Sequence, residues 1–191
     1  MHIGRAWPDP EIAAIEANSD CSFIGKRSGR NMGLEGTYTA LPNEKIRQLA
    51  DGEASLLEID QDAHEQLNIG SCWEALHYTL TEEFENGEPP LGYIVPLPEN
   101  QTIPAGDLDA CFLTWDQVNQ ALSAIQALTD EDFRHLYDFE RMQEEGVYTL
   151  NGTAEQDREL FLTYLLARLE EIRVFYGRCA AQGNGVIFHL S

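Results

Sequence analysis

Apolar residues recur at helical spacing through the second half of the chain. Thr114 and Gln117 have the spacing of a capping box, and a helix is predicted to follow them. A further helix is predicted to begin at Thr129, and the longest one to run from about Ala154 to Gln182. The apolar stripe expected on that longest helix comprises Leu160, Tyr164, Leu165, Leu169, Ile172 and Tyr176.

Short segments with strand composition lie outside these helices. Gly36–Leu41 is rich in Thr, Tyr and aliphatic residues and predicts a strand, followed by a helix that begins near Asn43 and ends at Gly52. Leu91–Val95 and Val186–Leu190 predict two more strands, of which the first is closed by prolines and the second is the terminal strand.

Helices outweigh these strands, which are too few and too scattered for a doubly wound parallel sheet. The pattern therefore predicts an α+β fold in a single domain, helix-rich, with a small mixed or antiparallel sheet and a long C-terminal helix followed by a terminal strand. A length of 191 residues with 43% hydrophobic residues is typical of one globular domain. Residues 1–31 are expected to form an N-terminal extension with a short helix that begins at Asp9-Pro10, and residues 32–191 to form the domain.

The charge of the chain is strongly negative and unevenly distributed. The chain has 33 Asp and Glu against 12 Lys and Arg, which gives a formal net charge of -21. Gln48–Phe133, which we call the acid-rich segment, contains no Lys or Arg, whereas the part from Arg134 onward is near balance. Because Lys and Arg supply the affinity for nucleic acid and for anionic lipid, neither nucleic acid nor a membrane is an expected partner.

The N-terminus and the cysteines predict a cytoplasmic protein. The N-terminus has no apolar region of the kind that a secretory signal contains, and no apolar run approaches the roughly 20 residues that cross a bilayer. The four cysteines, at positions 21, 72, 111 and 179, have no metal-site spacing and are expected to be reduced thiols, mostly in the core.

One short helix carries the candidate catalytic residues. Ser71 and Glu74 have capping-box spacing and predict its start. A carboxylate three residues from an imidazole can tune a general base, which makes His77, Glu74 and Tyr78 the site of an alternative, enzymatic function. The competing interpretation, which we favour, is that His77 packs in the core beside Leu80 with its ring nitrogens bonded to the backbone or to Glu74.

Asp60, Asp62 and His64 alternate like a fragment of a metal-binding loop. The sequence lacks the glycine and the final acid that complete a calcium loop of the EF-hand type, so no metal is expected, and Asp60 is expected to cap a short helix. No phosphate-binding glycine loop, nucleophile elbow or His-Glu-x-x-His helix occurs, and no cofactor is expected.

A series of short motifs from Met32 to Leu190 carries a resemblance to a known family. The motifs are Met32-Gly33, Gly36-Thr37-Tyr38, Leu57-Glu58-Ile59-Asp60, Trp73-Glu74-Ala75-Leu76-His77-Tyr78-Thr79-Leu80-Thr81, Pro90-Leu91-Gly92, Phe112-Leu113-Thr114-Trp115, Phe175-Tyr176 and Gly183-Asn184-Gly185-Val186. In this order they resemble the YfbM-like family of small bacterial proteins, which implies a single cytosolic α+β domain and no established activity. The chain differs from the family in the extension before Met32 and in the acidic insertion Gln61–Cys72, where a function particular to this protein would reside.

The acid-rich segment is the feature that predicts a function. Its acids stand beside aromatic residues, as at Glu83-Phe84-Glu85 and Trp115-Asp116, an arrangement that steers and anchors a basic protein. We expect a non-catalytic binding protein, most specifically an immunity- or antitoxin-like inhibitor that covers the basic active site of a toxin enzyme. The residues expected to bind this partner are Asp60, Asp62, Glu65, Glu82, Glu83, Glu85, Asp107, Asp109, Trp115 and Asp116. The alternatives are an enzyme or small-ligand-binding protein with a cleft around Glu74 and His77, and a housekeeping domain whose acidity serves only solubility.

Overall fold

The residues that the computed structural model describes are 34–105, 109–147, 150 and 154–191, without the side chain of Asp109. The extension 1–31 with its expected helix lies outside this range, and so does Asp107. Within it the chain forms an α+β domain, as the sequence predicts, with helices against both faces of one sheet.

The sheet is antiparallel and has the strand order β2-β1-β5-β4-β3. Strands β1 and β5 pair along their full lengths, with Gly36 opposite Leu190 and Pro42 opposite Asn184. These two are the strands that the sequence predicts at Gly36–Leu41 and Val186–Leu190. The three short strands are not evident in the sequence pattern. The strands are β1 (Gly36–Pro42), β2 (Gln66–Asn68), β3 (Thr102–Pro104), β4 (Asp109–Leu113) and β5 (Asn184–Leu190).

The helices include those that the apolar spacing predicts. Thr114 and Gln117 form the expected capping box, and a second one joins Thr129 to Asp132. The longest helix ends at Gln182, and Gly183 follows it in the left-handed conformation that terminates helices. The α helices are α1 (Asn43–Ala50), α2 (Trp73–Thr81), α3 (Trp115–Ala127), α4 (Asp130–Leu136), α5 (Phe139–Glu145) and α6 (Arg158–Gln182).

The two faces of the sheet carry separate hydrophobic clusters because neighbouring residues of a strand point to opposite faces. Tyr38 and Phe188 belong to the larger cluster, which α2, α3 and α6 cover. Leu41 and Ile187 belong to the smaller one, which α1 covers. The sheet is therefore buried on both faces along β1 and β5.

The strand predicted at Leu91–Val95 is wrong. Leu91–Tyr93 forms a 3₁₀ turn, and the residues after it continue as turns. Tyrosine hydroxyls take the place of a neighbouring strand, because Tyr38 donates to the Ile94 carbonyl at 3.0 Å and Tyr176 donates to the Tyr93 carbonyl at 2.9 Å. These bonds satisfy buried carbonyls without a ladder, so the segment stays buried outside the sheet.

Two helix starts also differ from the prediction. Helix α2 begins at Trp73 after a 3₁₀ turn, so the residue before it is Cys72 rather than Ser71. Helix α6 begins at Arg158 rather than Ala154, and Leu160 in its first turn is 49% exposed. The buried stripe begins instead at Leu162 and includes the predicted positions Leu165, Leu169, Ile172 and Tyr176, whereas the predicted Tyr164 is only half-buried.

Candidate functional site

His77 lies in the interior of the molecule, at 1% exposure. Its Nδ1 lies 2.8 Å from the carbonyl oxygen of Val95, so Nδ1 carries the proton and donates it to this oxygen. Nε2 is then a buried acceptor, and it has no hydrogen-bond partner in the part of the chain that the structure describes. The ring therefore ties α2 to the segment after the 3₁₀ turn. The burial and the backbone bond at Nδ1 agree with the core interpretation, whereas the partner that it expects for the second nitrogen is absent among the described residues.

Burial lowers the pKa of His77, and the bond to the Val95 carbonyl only partly opposes this effect. The ring is consequently neutral at pH 7. Tyr78 is buried beside it, and burial raises the pKa of its hydroxyl. Glu74 lies in the first turn of the same helix and is half-buried. None of the three residues lines the cavity described below.

The buried cysteines are poor nucleophiles. Burial raises the pKa of Cys72 and that of Cys179 to about 12, so both remain thiols at neutral pH. The thiol of Cys72 donates to the carbonyl of Ile69 at 3.0 Å. These two residues fill space in the core, as the sequence predicts for them.

The candidate metal fragment is a surface turn. Asp60 and Asp62 are exposed at a 3₁₀ turn that spans Gln61–Ala63, and Asp60 precedes it without a side-chain capping bond. Residues 34–105, 109–147, 150 and 154–191 contain no group of three or more His, Cys, Asp or Glu side chains that would hold a metal ion.

Two of the acids expected to bind a partner are already in ion pairs within the molecule. Glu65 pairs with Arg178 of α6, and Glu82 pairs with Arg141 of α5. Both arginines come from the C-terminal part of the chain, since the acid-rich segment has none of its own. These acids therefore hold the segment against the helices that follow it.

Trp115 and Asp116 occupy the start of α3. The indole nitrogen of Trp115 donates to the carbonyl of Ala180 at 2.9 Å, and its backbone nitrogen donates to the side chain of Asn43 at 2.8 Å. These bonds fix the residue to the fold, although part of its ring remains exposed. Asp116 is exposed beside it, and of Asp109 the structure describes only the backbone, in β4.

Glu83 and Glu85 lie in an exposed segment, Glu82–Pro90, which we call the acidic loop. Neither forms an ion pair with a residue that the structure describes. Phe84 lies between them, 39% exposed, with its ring centroid 5.2 Å from that of Tyr78. The partly exposed ring of Phe84 therefore packs against Tyr78 and lies between two acids in the sequence.

The expected partner-binding residues do not form one surface. The segment that leads to Asp60 and Asp62 packs through Leu56 on the cluster around Ile187. The acidic loop follows α2, whose buried residues belong to the opposite cluster. Among the nominated acids, Glu83 and Glu85 flank the exposed ring of Phe84, and Asp116 lies beside the partly exposed ring of Trp115.

A cavity of about 310 Å³ lies next to the acidic loop. Its walls include Gly87 and Pro89 of the loop, Tyr93, and the segment Pro98–Gln101. Asn86 joins the two sides, because its backbone nitrogen donates to Leu97 at 3.1 Å and its side-chain oxygen accepts from the backbone of Glu99 at 2.8 Å. The cavity is therefore part of the fold rather than a gap between loose segments.

Gly92 closes the loop on itself. A Cβ atom at this position would lie 1.8 Å from the carbonyl oxygen of Gly87, closer than any side chain allows. Sequence reasoning missed the cavity, although Asn86-Gly87 and Pro89-Pro90 are typical turn dipeptides. The contacts that form it join residues 86 and 99, and no local pattern predicts a pairing across that distance.

Gln101, in the wall of the cavity, bonds to Gln117 of α3. Gln101 and Gln117 bond each other through both amide groups, at 3.0 and 2.8 Å. Gln117 also donates to the hydroxyl oxygen of Tyr93 at 3.1 Å. The tyrosine oxygen keeps one lone pair and its own proton for another partner.

No helix among the described residues is both long enough and apolar enough to cross a bilayer.

Comparison with known proteins gives the family of the chain. A family model for a domain of unknown function, DUF1877, matches residues 32–189. Among solved structures, the crystal structure of YfbM from Escherichia coli, a protein of unknown function, has a TM-score of 0.67 and 20% sequence identity. The alignment covers 82% of this chain and 99% of that chain, and it shows the fold alone. No curated protein matches the sequence. Because the family model covers most of its length, the chain belongs to the YfbM-like family defined by DUF1877.

Proposed function

We propose that this protein is a non-catalytic acidic binding protein, most specifically an immunity- or antitoxin-like inhibitor of a toxin enzyme. One observation supports this proposal above the others. In the acidic loop, Glu83 and Glu85 flank the exposed ring of Phe84 and form no ion pair with a described residue. Acids that no described residue neutralises are the ones that we expect to attract a basic partner.

The physical basis is electrostatic steering followed by an apolar anchor. A surface of one sign attracts a partner of the opposite sign and raises the association rate, whereas aromatic residues at the centre of an interface supply much of its stability. The acidic loop contains both kinds of group, in the order Glu83, Phe84, Glu85.

The proposed partner has a basic active site that handles nucleotides or nucleic acid. The carboxylates of the acidic loop would occupy the positions that substrate phosphates take in that site. Inhibition of this kind requires no chemistry from the protein itself. We place it in the cytoplasm, where buried thiols such as Cys72 and Cys179 stay reduced.

The test is capture of a partner from lysate of the source cells, followed by an assay of that partner. We expect a stoichiometric basic protein to be recovered at low salt and lost in part at about 0.5 M salt, because salt screens exposed charges. The captured protein should have an activity that the purified acidic protein inhibits.

A matched pair of variants locates the interface. The loop variant carries Glu83→Gln, Glu85→Gln and Glu88→Gln, and the control carries Asp51→Asn, Glu53→Gln and Glu58→Gln, which change the net charge equally. The loop variant should reduce capture much more than the control. Recovery of no basic partner, or an equal loss of capture in both variants, would contradict the proposal and favour the alternative in which the acidity serves only solubility.

A further inference from the structure

We propose that the cavity beside the acidic loop receives a single cationic side chain, an arginine or a lysine, of the protein partner. This inference rests on the proposed function and deepens it, since it assigns a specific anchor to an otherwise diffuse attraction between charges. It concerns Pro89, Tyr93, Pro98, Glu99 and Asn100, none of which the sequence identified as binding residues.

The size of the cavity fits one extended side chain. A volume of about 310 Å³ stands at the lower end of the range, roughly 300 to 1,000 Å³, that small-molecule sites occupy. A helix or a strand of a partner does not enter a space of this size, whereas one side chain that projects from its surface does.

The walls of the cavity fit the alkyl part of such a side chain. Pro89 and Pro98 contribute saturated rings, and Tyr93 contributes an aromatic ring. Lys and Arg place their methylene groups along apolar surface while the charged end remains near polar atoms. A cation over a tyrosine ring gains a further attraction from the ring electrons.

The polar atoms of the cavity fit the charged end. Glu99 supplies an exposed carboxylate that forms no ion pair with a described residue. The side-chain amide of Asn100 and the hydroxyl of Tyr93 add oxygen acceptors, the latter held in place by Gln117. Arg and Lys carry only donors, so carboxylate, amide and hydroxyl oxygens are suitable partners for them.

The surroundings exclude an anionic occupant. No Lys or Arg occurs between Gln48 and Phe133, which includes every residue of the cavity wall. Glu85 and Glu88 of the acidic loop lie close in sequence to the wall residues and strengthen the negative potential. A carboxylate or phosphate would enter against this field with no cation among the wall residues to receive it.

The experiment titrates the protein with capped amino acids and follows its backbone amide signals by NMR. The probes are the N-acetyl methylamides of arginine, lysine and citrulline, the last of which is a neutral analogue of arginine. We expect saturable shifts at Gly87, Gly92 and Asn100 with the two cationic probes, and binding of citrulline several-fold weaker or absent.

Variants separate the site from general attraction between charges. Glu99→Gln should weaken arginine about fivefold, the upper range for an exposed ion pair. Tyr93→Phe should weaken it as well, because the hydroxyl is lost while the ring remains. Glu58→Gln, an equal charge change on the opposite side of the sheet, should leave the affinity unchanged.

The outcomes distinguish this inference from the proposed function. Absence of saturable shifts, equal binding of arginine and citrulline, or equal effects of Glu99→Gln and Glu58→Gln would overturn the cationic site, whatever the capture experiment gives. Binding of arginine at the cavity without a basic partner in the capture experiment would overturn the assignment of the side chain to a partner protein.

Discussion

The acid-rich segment and the part of the chain from Arg134 onward differ in how their acids are paired. In the C-terminal part, acids and arginines alternate and pair, as Arg158 does with Glu140 at 2.7 Å and Arg168 with Glu171 at 2.7 Å. The acid-rich segment contains no Lys or Arg, and its ion pairs to Arg141 and Arg178 use cations from the C-terminal helices.

This difference separates acids whose ion pairs help to hold helices together from acids that form no ion pair with a described residue. From Arg134 onward, ion pairs with arginines hold the carboxylates of Glu140, Glu155, Glu159, Glu170 and Glu171. Where the acid-rich segment forms loops, Glu83 and Glu85 form no ion pair with any residue that the structure describes. The same segment also contributes a neutral interior through α2, so net charge alone does not locate a binding surface.

The largest expected effect comes from breaking that interior. His77→Ala should lower the free energy of unfolding by about 2 to 4 kcal/mol, because it leaves a cavity and removes the partner of the Val95 carbonyl. Urea denaturation measures this change. His135, whose side chain is 74% exposed, supplies the control, and His135→Ala should change stability by less than about 0.5 kcal/mol. A stable His77→Ala protein that has lost an activity would instead favour the enzymatic function.

Lowering the pH should have a smaller effect on stability. Burial lowers the pKa of His77 and of His189, so the unfolded chain takes up protons before the folded one does. Both rings are neutral in both states above about pH 6.5, the unfolded reference value, where this contribution to stability is complete. It is lost as the pH falls through the lowered pKa values of the folded state. Urea denaturation between pH 7.5 and pH 5 should show the loss, and His77→Gln should reduce the slope; an unchanged slope would contradict the assignment.

Removing an arginine that pairs with the acid-rich segment should have a still smaller effect on stability. Arg141→Gln breaks the exposed pair with Glu82 and should lower the midpoint of urea denaturation only slightly, because exposed ion pairs contribute little to stability. The same variant leaves Glu82 uncompensated, so capture of a basic partner should be retained or increased. A loss of capture would show that Arg141 itself, and not the acids, contacts the partner.

The smallest expected effect on stability is that of the acidic loop. Glu83→Gln with Glu85→Gln should change the melting temperature by only about 1 or 2 °C, because neither acid pairs with a described residue. The double variant with Glu140→Gln and Glu171→Gln is the comparison, since it removes paired acids and should lower the melting temperature more. Equal shifts would remove the distinction between the two parts of the chain.

Much of the fold is predictable from local pattern because local bonds decide it. The Thr114 capping box, the strand at Gly36 and the glycine at 183 act within a few residues of themselves, and each appears as predicted. The segment after Pro90 has the composition of a strand, yet hydroxyls of Tyr38 and Tyr176 from distant elements decide its conformation.

The candidate site was predictable in part for a similar reason. Charge is a property of the sequence, so an acidic surface was expected and Glu83 and Glu85 were named. Which acids are neutralised depends on arginines far along the chain, as with Glu65 and Arg178. The cavity depends on Asn86 bonding to Glu99, and no spacing rule connects these two residues.

The close approach of Gly92 to Gly87 gives a way to examine other sequences of the family. Any residue larger than glycine at this position forces the two backbones apart and opens the ring of chain that encloses the cavity. A relative with alanine or serine there should have lost the cavity, even if it keeps every acid around it. The residue aligned with Gly92 therefore distinguishes relatives that retain the cavity from relatives that have only a negative surface.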